Sequence, residues 1–123
     1  MKTILIIDDE ELIVRSLSNA LKRSGYEVTF AKRPEDAIVM VEEEDFDLII
    51  SDIRMPGLNG IETVQRIFES LKERGASKVP TIFITGYADE KLEAEAKNLN
   101  PKAYIHKPFD LVDFLKKIKE ALA

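Results

Sequence analysis

Ile4-Leu5-Ile6-Ile7-Asp8-Asp9 is a short, unbroken apolar run that stops abruptly at two acids. A branched run of this length, with no polar alternation, suits a strand buried on both faces of a parallel sheet. The next residues have a different period. Ile13, Leu17, Ala20 and Leu21 recur at helical spacing, and Gly25 closes that segment. Val28-Thr29-Phe30-Ala31 then reads as a second strand, and Pro34 opens a helix carrying Ala37, Ile38 and Val41.

The alternation continues to the end of the chain. A third strand is expected from Phe46 to Ser51, ending at Asp52. The loop Met55-Pro56-Gly57-Leu58-Asn59-Gly60 leads to a helix capped by Asn59, with Glu62 three residues on. Ile61, Val64, Ile67, Phe68 and Leu71 form that helix's apolar face. Thr81-Ile82-Phe83-Ile84 is the fourth strand, ending at Thr85-Gly86. The fourth helix, roughly 89–98, has few large apolar residues and relies on Leu92 and Leu99. Ala103-Tyr104-Ile105 is a short fifth strand. Asp110 caps a last helix built on Leu111, Phe114, Leu115, Ile118 and Leu122.

Five strands alternating with five helices imply a parallel sheet covered on both faces. Right-handed crossovers leave few topologies, and the doubly wound order 2-1-3-4-5 is the expected one. In such sheets ligands bind past the carboxyl ends of the strands, where the strand order reverses.

The 123 residues suit one compact domain, expected over 1–123. Hydrophobic residues make up 45% and charged ones 33%, a balance ordinary for globular chains. The absence of cysteine excludes disulfides, thiol chemistry and cysteine-ligated metals. No apolar run reaches membrane-span length, and Met1-Lys2-Thr3 does not open a signal peptide. A net charge of -5 without a legible basic face argues against nucleic acid as a partner. A cytoplasmic location is the expectation.

The polar residues fall where the switch-point rule puts a site. Asp8 and Asp9 follow the first strand, Asp52 ends the third, Thr85 ends the fourth, and Lys107 follows the fifth. Singly, each has an ordinary reading: acids at a helix start, a turn cap, a surface charge. Capping does not explain a lysine beside three acids, all at strand ends. Clustered carboxylates repel one another and need a cation. Lys107 supplies one positive charge and a hard divalent ion the rest. Mg²⁺ takes few carboxylates, several waters and a phosphate oxygen. A carboxylate can itself be the nucleophile that takes a phosphoryl group. Asp52, between the acidic pair and the Thr and Lys strands, is the candidate.

These residues resemble the response-regulator receiver family, in particular its stand-alone chemotaxis-type members. The matching pieces are Ile6-Ile7-Asp8-Asp9-Glu10, the stretch from Asp47 through Asp52 and Arg54 to Gly60, Ile84-Thr85-Gly86-Tyr87, and Lys107-Pro108-Phe109. They come in the family's order and spacing, and the resemblance covers the whole chain. It implies a flavodoxin-like (βα)5 three-layer sandwich. It makes Asp52 the phosphoacceptor, Asp9 a direct Mg²⁺ ligand, Asp8 its water-mediated neighbour, and the backbone carbonyl of Arg54 a further ligand. Thr85 becomes the switch hydroxyl, Lys107 the charge that pairs with the phosphoryl group, and Tyr104 the switch aromatic. The Lys107-Pro108 bond resembles the family's cis peptide. Glu10 is expected to act as a capping residue. Arg54 and Tyr87 flank the site, and Gly86 stands where the family often has Ala.

The resemblance implies a non-enzymatic switch within a two-component phosphorelay. Its donor is a sensor histidine kinase or histidine phosphotransfer protein, and its output face is the fourth helix, fifth strand and fifth helix. Two rival functions carry weight. A phosphohydrolase with an Asp nucleophile usually needs a general-acid Asp two residues on, where Arg54 stands. A degenerate receiver that only binds a partner need not keep Asp8, Asp9, Asp52, Thr85 and Lys107 together. A flavodoxin-like nucleotide-binding domain is weaker still, because the first strand ends in acids and not in a Gly-rich loop.

Overall fold

A computed structural model of the chain describes residues 1–86 and 88–123. Five parallel strands, β1 (Thr3–Ile7), β2 (Glu27–Ala31), β3 (Leu48–Asp52), β4 (Thr81–Thr85) and β5 (Ala103–His106), pair in the order β2-β1-β3-β4-β5. Between them run α1 (Glu11–Arg23), α2 (Pro34–Glu43), α3 (Gly60–Glu73) and α4 (Glu90–Lys97), and α5 (Leu111–Ala121) closes the chain. This is the expected doubly wound topology.

Two cores arise from the period of two along each strand. Ile4, Ile6, Leu48, Ile50, Ile82, Ile84 and Ile105 face Val14, Leu17 and Leu21 of α1 and Phe114 and Ile118 of α5. Leu5, Ile7, Ile49 and Phe83 face the helices of the other layer: Ala37 and Val41, then Ile61, Val64 and Ile67, then Ala96. Both sheet faces are therefore dry, which is why β1, β3 and β4 carry no alternating polar residues.

Local signals set the helix ends. Asn59 and Glu62 form a reciprocal capping box at α3, with Asn59 Oδ1 accepting the Glu62 amide at 2.9 Å. Asp110 Oδ1 accepts from the Val112 amide, and Asp89 Oδ1 from those of Lys91 and Leu92. Helix α2 has no basic residue in its last turn, and Arg74 of the α3 terminus donates to the carbonyls of Val41 and Glu42 at 3.0 and 3.2 Å.

Three expectations shift. Strand β3 begins at Leu48, not Phe46, and includes Asp52. The Thr3 amide donates to Asp47 Oδ2 at 2.8 Å, which anchors the chain just ahead of the first strand residue. In α1 the buried position is Val14, with Ile13 only partly covered. Leu111 is 41% exposed, because the first residue of α5 stands past the end of β5, where no strand lies beneath it. Helix α4 is as thin as expected, and its one buried residue is Ala96. Among the described residues, no helix is long and apolar enough to cross a membrane.

Candidate functional site

The carboxyl end of β3 is pinned from several sides. The Ile53 amide donates to Asp52 Oδ1 at 2.9 Å and to the Ile84 carbonyl at 3.1 Å. The Ser51 hydroxyl donates to the Asp52 carbonyl at 2.9 Å. The Gly60 amide donates to the Ile53 carbonyl at 2.7 Å, which lays the start of α3 on the Asp52 backbone. A Cβ at Gly60 would come within 1.8 Å of the Asp52 carbonyl oxygen, so only glycine fits this approach. These bonds occupy Asp52 Oδ1 and leave Oδ2 facing the cleft.

At the end of β1, Asp8 Oδ1 accepts the Glu10 amide at 2.9 Å. This is an Asx-turn, and it brings residues 8 and 10 to one side of the chain. Asp8, Glu10 and Asp52 each offer a carboxylate oxygen, all within 4.8 Å of one another. Asp9, expected to stand with Asp8 and Asp52, is exposed and lies outside this group. Glu10 sits at the N-cap of α1 but makes no side-chain cap bond, so the capping expectation fails. The missed signal was the Asx spacing from Asp8.

Glu10 points instead to Lys107. The Lys107 ammonium lies 3.0 Å from Glu10 Oε1, 3.6 Å from Asp8 Oδ2 and 3.7 Å from Asp52 Oδ2. The backbone fixes its origin: the Lys107 amide donates to the Thr85 carbonyl at 2.8 Å, and the Lys107-Pro108 bond is cis, as expected. Thr85 ends β4 fully buried, on the strand next to Asp52 and one register step beyond it. A Cβ at Gly86 would meet Lys107 Cδ at an ordinary 3.9 Å, so an alanine would fit there.

The remaining candidates stand further out. Tyr104 is partly buried on β5, paired in register with Phe83, two residues below the level of Thr85. Its ring meets His106 edge-on at 5.3 Å. Burial, and then Glu93 and Asp89, push its phenol upward. Arg54 turns outward, with Nη2 3.7 Å from Oδ2 of Asp89, the residue that caps α4. Tyr87 lies outside the described residues.

The electrostatics match the crowding. Burial raises the Asp52 carboxyl first and the Asp8 charge adds to it, while Lys107 and the Ile53 amide oppose them; the result is about 6. Asp8 is raised by burial, against its bond to the Glu10 amide and the pull of Lys107. Burial disfavours the Lys107 cation, but Glu10, Asp8 and Asp52 outweigh it and hold the ammonium above its usual value. Three acids against one base leave an excess of negative charge and an all-oxygen donor set. That set fits a hard divalent cation such as Mg²⁺.

The family model for the response regulator receiver domain matches residues 4–119. The response regulator receiver protein CpdR of Brucella abortus is 33% identical over 122 residues, covering 99% of this chain and 98% of that protein. A CheY-like receiver domain structure from Methanospirillum hungatei is 35% identical with a TM-score of 0.88, covering 99% of this chain and 94% of that one. The response regulator TrrA of Thermotoga maritima, solved with Mg(2+)-BeF, is 30% identical with a TM-score of 0.83, covering 99% and 100%. The chain spans about half the length of transcriptional regulatory proteins that it matches, 54% of one and 43% of another.

Proposed function

The chain belongs to the response regulator receiver family of two-component signalling, and from that premise we propose that Asp52 is its phosphoacceptor. The observation that carries this reading is the Lys107 ammonium, held within 3.0–3.7 Å of Glu10, Asp8 and Asp52 at the switch point of the sheet. We take residues 1–123 to act as one receiver unit, a switch and not an enzyme with its own substrate.

The transfer runs from a phosphohistidine on a sensor kinase or phosphotransfer protein. An Asp52 carboxylate oxygen forms the new O–P bond, the P–N bond breaks, and the imidazole nitrogen takes up a proton. Asp52 Oδ2 suits the role, since Oδ1 already accepts the Ile53 amide. Bound Mg²⁺ supplies charge neutralisation for the phosphoryl oxygens. Asp8 and Asp52 of the carboxylate cluster would hold it, joined, as in the family pattern, by Asp9 from the adjoining turn and by the Arg54 carbonyl, and Glu10 would keep Lys107 oriented. The Lys107 ammonium and Thr85 hydroxyl stabilise the transferred group. Thr85 and Tyr104 then relay its presence to the face of α4, β5 and α5, where a cytoplasmic output partner or attached domain distinguishes the two states.

Incubation with acetyl phosphate and Mg²⁺ tests the assignment. The expected result is one acid-labile phosphoryl group per chain on the peptide containing Asp52, absent from Asp52→Asn. Labelling of that variant at the wild-type rate contradicts it.

A further inference from the structure

Strand β2 ends the sheet: among the described residues it pairs only with β1. Its other edge therefore offers a row of unpaired main-chain donors and acceptors. Phe30 on this strand is 47% exposed, a large apolar side chain at the edge of the sheet. Beside that edge, a groove runs between β2 and α1, floored by Val14, Val28 and Phe30.

Two further features point to a ligand. Ser18 lines the groove, is more than nine-tenths buried, and its hydroxyl has no hydrogen-bond partner. A buried hydroxyl without a partner is costly, and a group in the groove that displaces the side chains covering Ser18 would satisfy it. The rim is basic on a chain whose net charge is -5. Arg15, Lys22 and Lys32 line it against the single acid Glu11, which already pairs with Arg15 at 3.8 Å and Lys32 at 3.7 Å. No ion pair involves Lys22 among the described residues.

The dimensions suit an extended chain. Arg15 and Lys22 are two helical turns apart, about 10 Å. In a strand, side chains two and four residues apart share a face, spanning about 7 and 13 Å. We propose that the β2 edge and this groove dock an extended acidic segment of a partner protein. The segment adds as a sixth strand beside β2. It sets one apolar side chain on Val14, Val28 and Phe30, and flanking acids against Arg15, Lys22 and Lys32. The site is separate from the carboxylate cluster and stands whether or not Asp52 is the acceptor.

The probe is a blocked pentapeptide, aspartate-threonine-phenylalanine-threonine-aspartate, titrated into the ¹⁵N-labelled full chain. Saturable shifts should concentrate on the amides of β2 and of α1 from Val14 to Lys22. The double variant Arg15→Glu, Lys22→Glu should bind at least tenfold more weakly while labelling with acetyl phosphate as wild type does. A peptide methylated on the backbone nitrogens that would face β2 should not bind. No saturable shifts at millimolar peptide overturn the proposal, as does binding unaffected by the charge reversals or by methylation. Concentration-dependent shifts of the same amides without peptide would assign the edge to a second copy of the chain, and would equally overturn it.

Discussion

Replacing Asp52 with asparagine should stabilise the metal-free domain above pH 6 and have a far smaller effect near pH 4. The isostere keeps an oxygen for the Ile53 amide and removes only the charge. In the folded chain the Asp52 carboxyl is held at about 6, against 3.8 for a free side chain, chiefly by burial and then by Asp8. Between those values the folded state binds more protons than the unfolded one, so stability falls as pH rises. Well below pH 3.8 both states are protonated and the charge costs nothing; well above pH 6 the full cost is present. About two pKa units at about 1.4 kcal/mol each give about 3 kcal/mol. With a urea m-value of about 1.5–2 kcal/mol per molar, the midpoints of variant and wild type should separate by about 1.5–2 M at pH 8. Urea melts in EDTA from pH 4 to pH 8 read this directly. A gap that is flat with pH, or a variant less stable than wild type at pH 8, refutes the claim that Asp52 is a buried, repelled charge.

Gly60→Ala places a Cβ against the Asp52 carbonyl and should cost about 3 kcal/mol or more in a urea melt, with slower labelling by acetyl phosphate; a melt within about 0.5 kcal/mol of wild type would mean the approach is looser than described. Thr85→Ala should accept phosphate but lose the accompanying amide shifts in α4 and β5, and a spectrum like that of phosphorylated wild type would remove Thr85 from the switch. Asp9→Ala should weaken Mg²⁺ binding at least tenfold, whereas Glu10→Ala should alter it less and free Lys107; the reverse order would hand the metal role to Glu10.

The fold was legible because each strand carries its period openly. Ile4 to Ile7 and Ile82 to Ile84 are apolar without interruption, and only a sheet covered on both faces asks for that. Asn59 with Glu62, Asp110 and Pro34 marked helix starts by chemistry that acts within one turn, so it survives in any tertiary setting. Leu111 misled, because helical spacing shows which side faces inward but not where the sheet beneath stops. At the site, Asp52, Asp8 and Lys107 could be placed from strand ends alone. Glu10 could not, because its position depends on a turn bond from Asp8 to a backbone amide two residues on. The bed that Gly60 makes for Asp52 was equally hidden: it joins two elements across a loop, and the sequence shows only a glycine after a capping asparagine.

On this reading one carboxylate at the sheet's switch point receives a phosphoryl group, with Mg²⁺ and Lys107 around it. Adding beryllofluoride and Mg²⁺ to the ¹⁵N-labelled chain tests it most directly. A slowly exchanging complex that needs both reagents should form, with the largest shifts at Asp8, Asp52, Ile53, Thr85 and Lys107, and none should form with Asp52→Asn. An unchanged wild-type spectrum, or the same complex formed by Asp52→Asn, would contradict it.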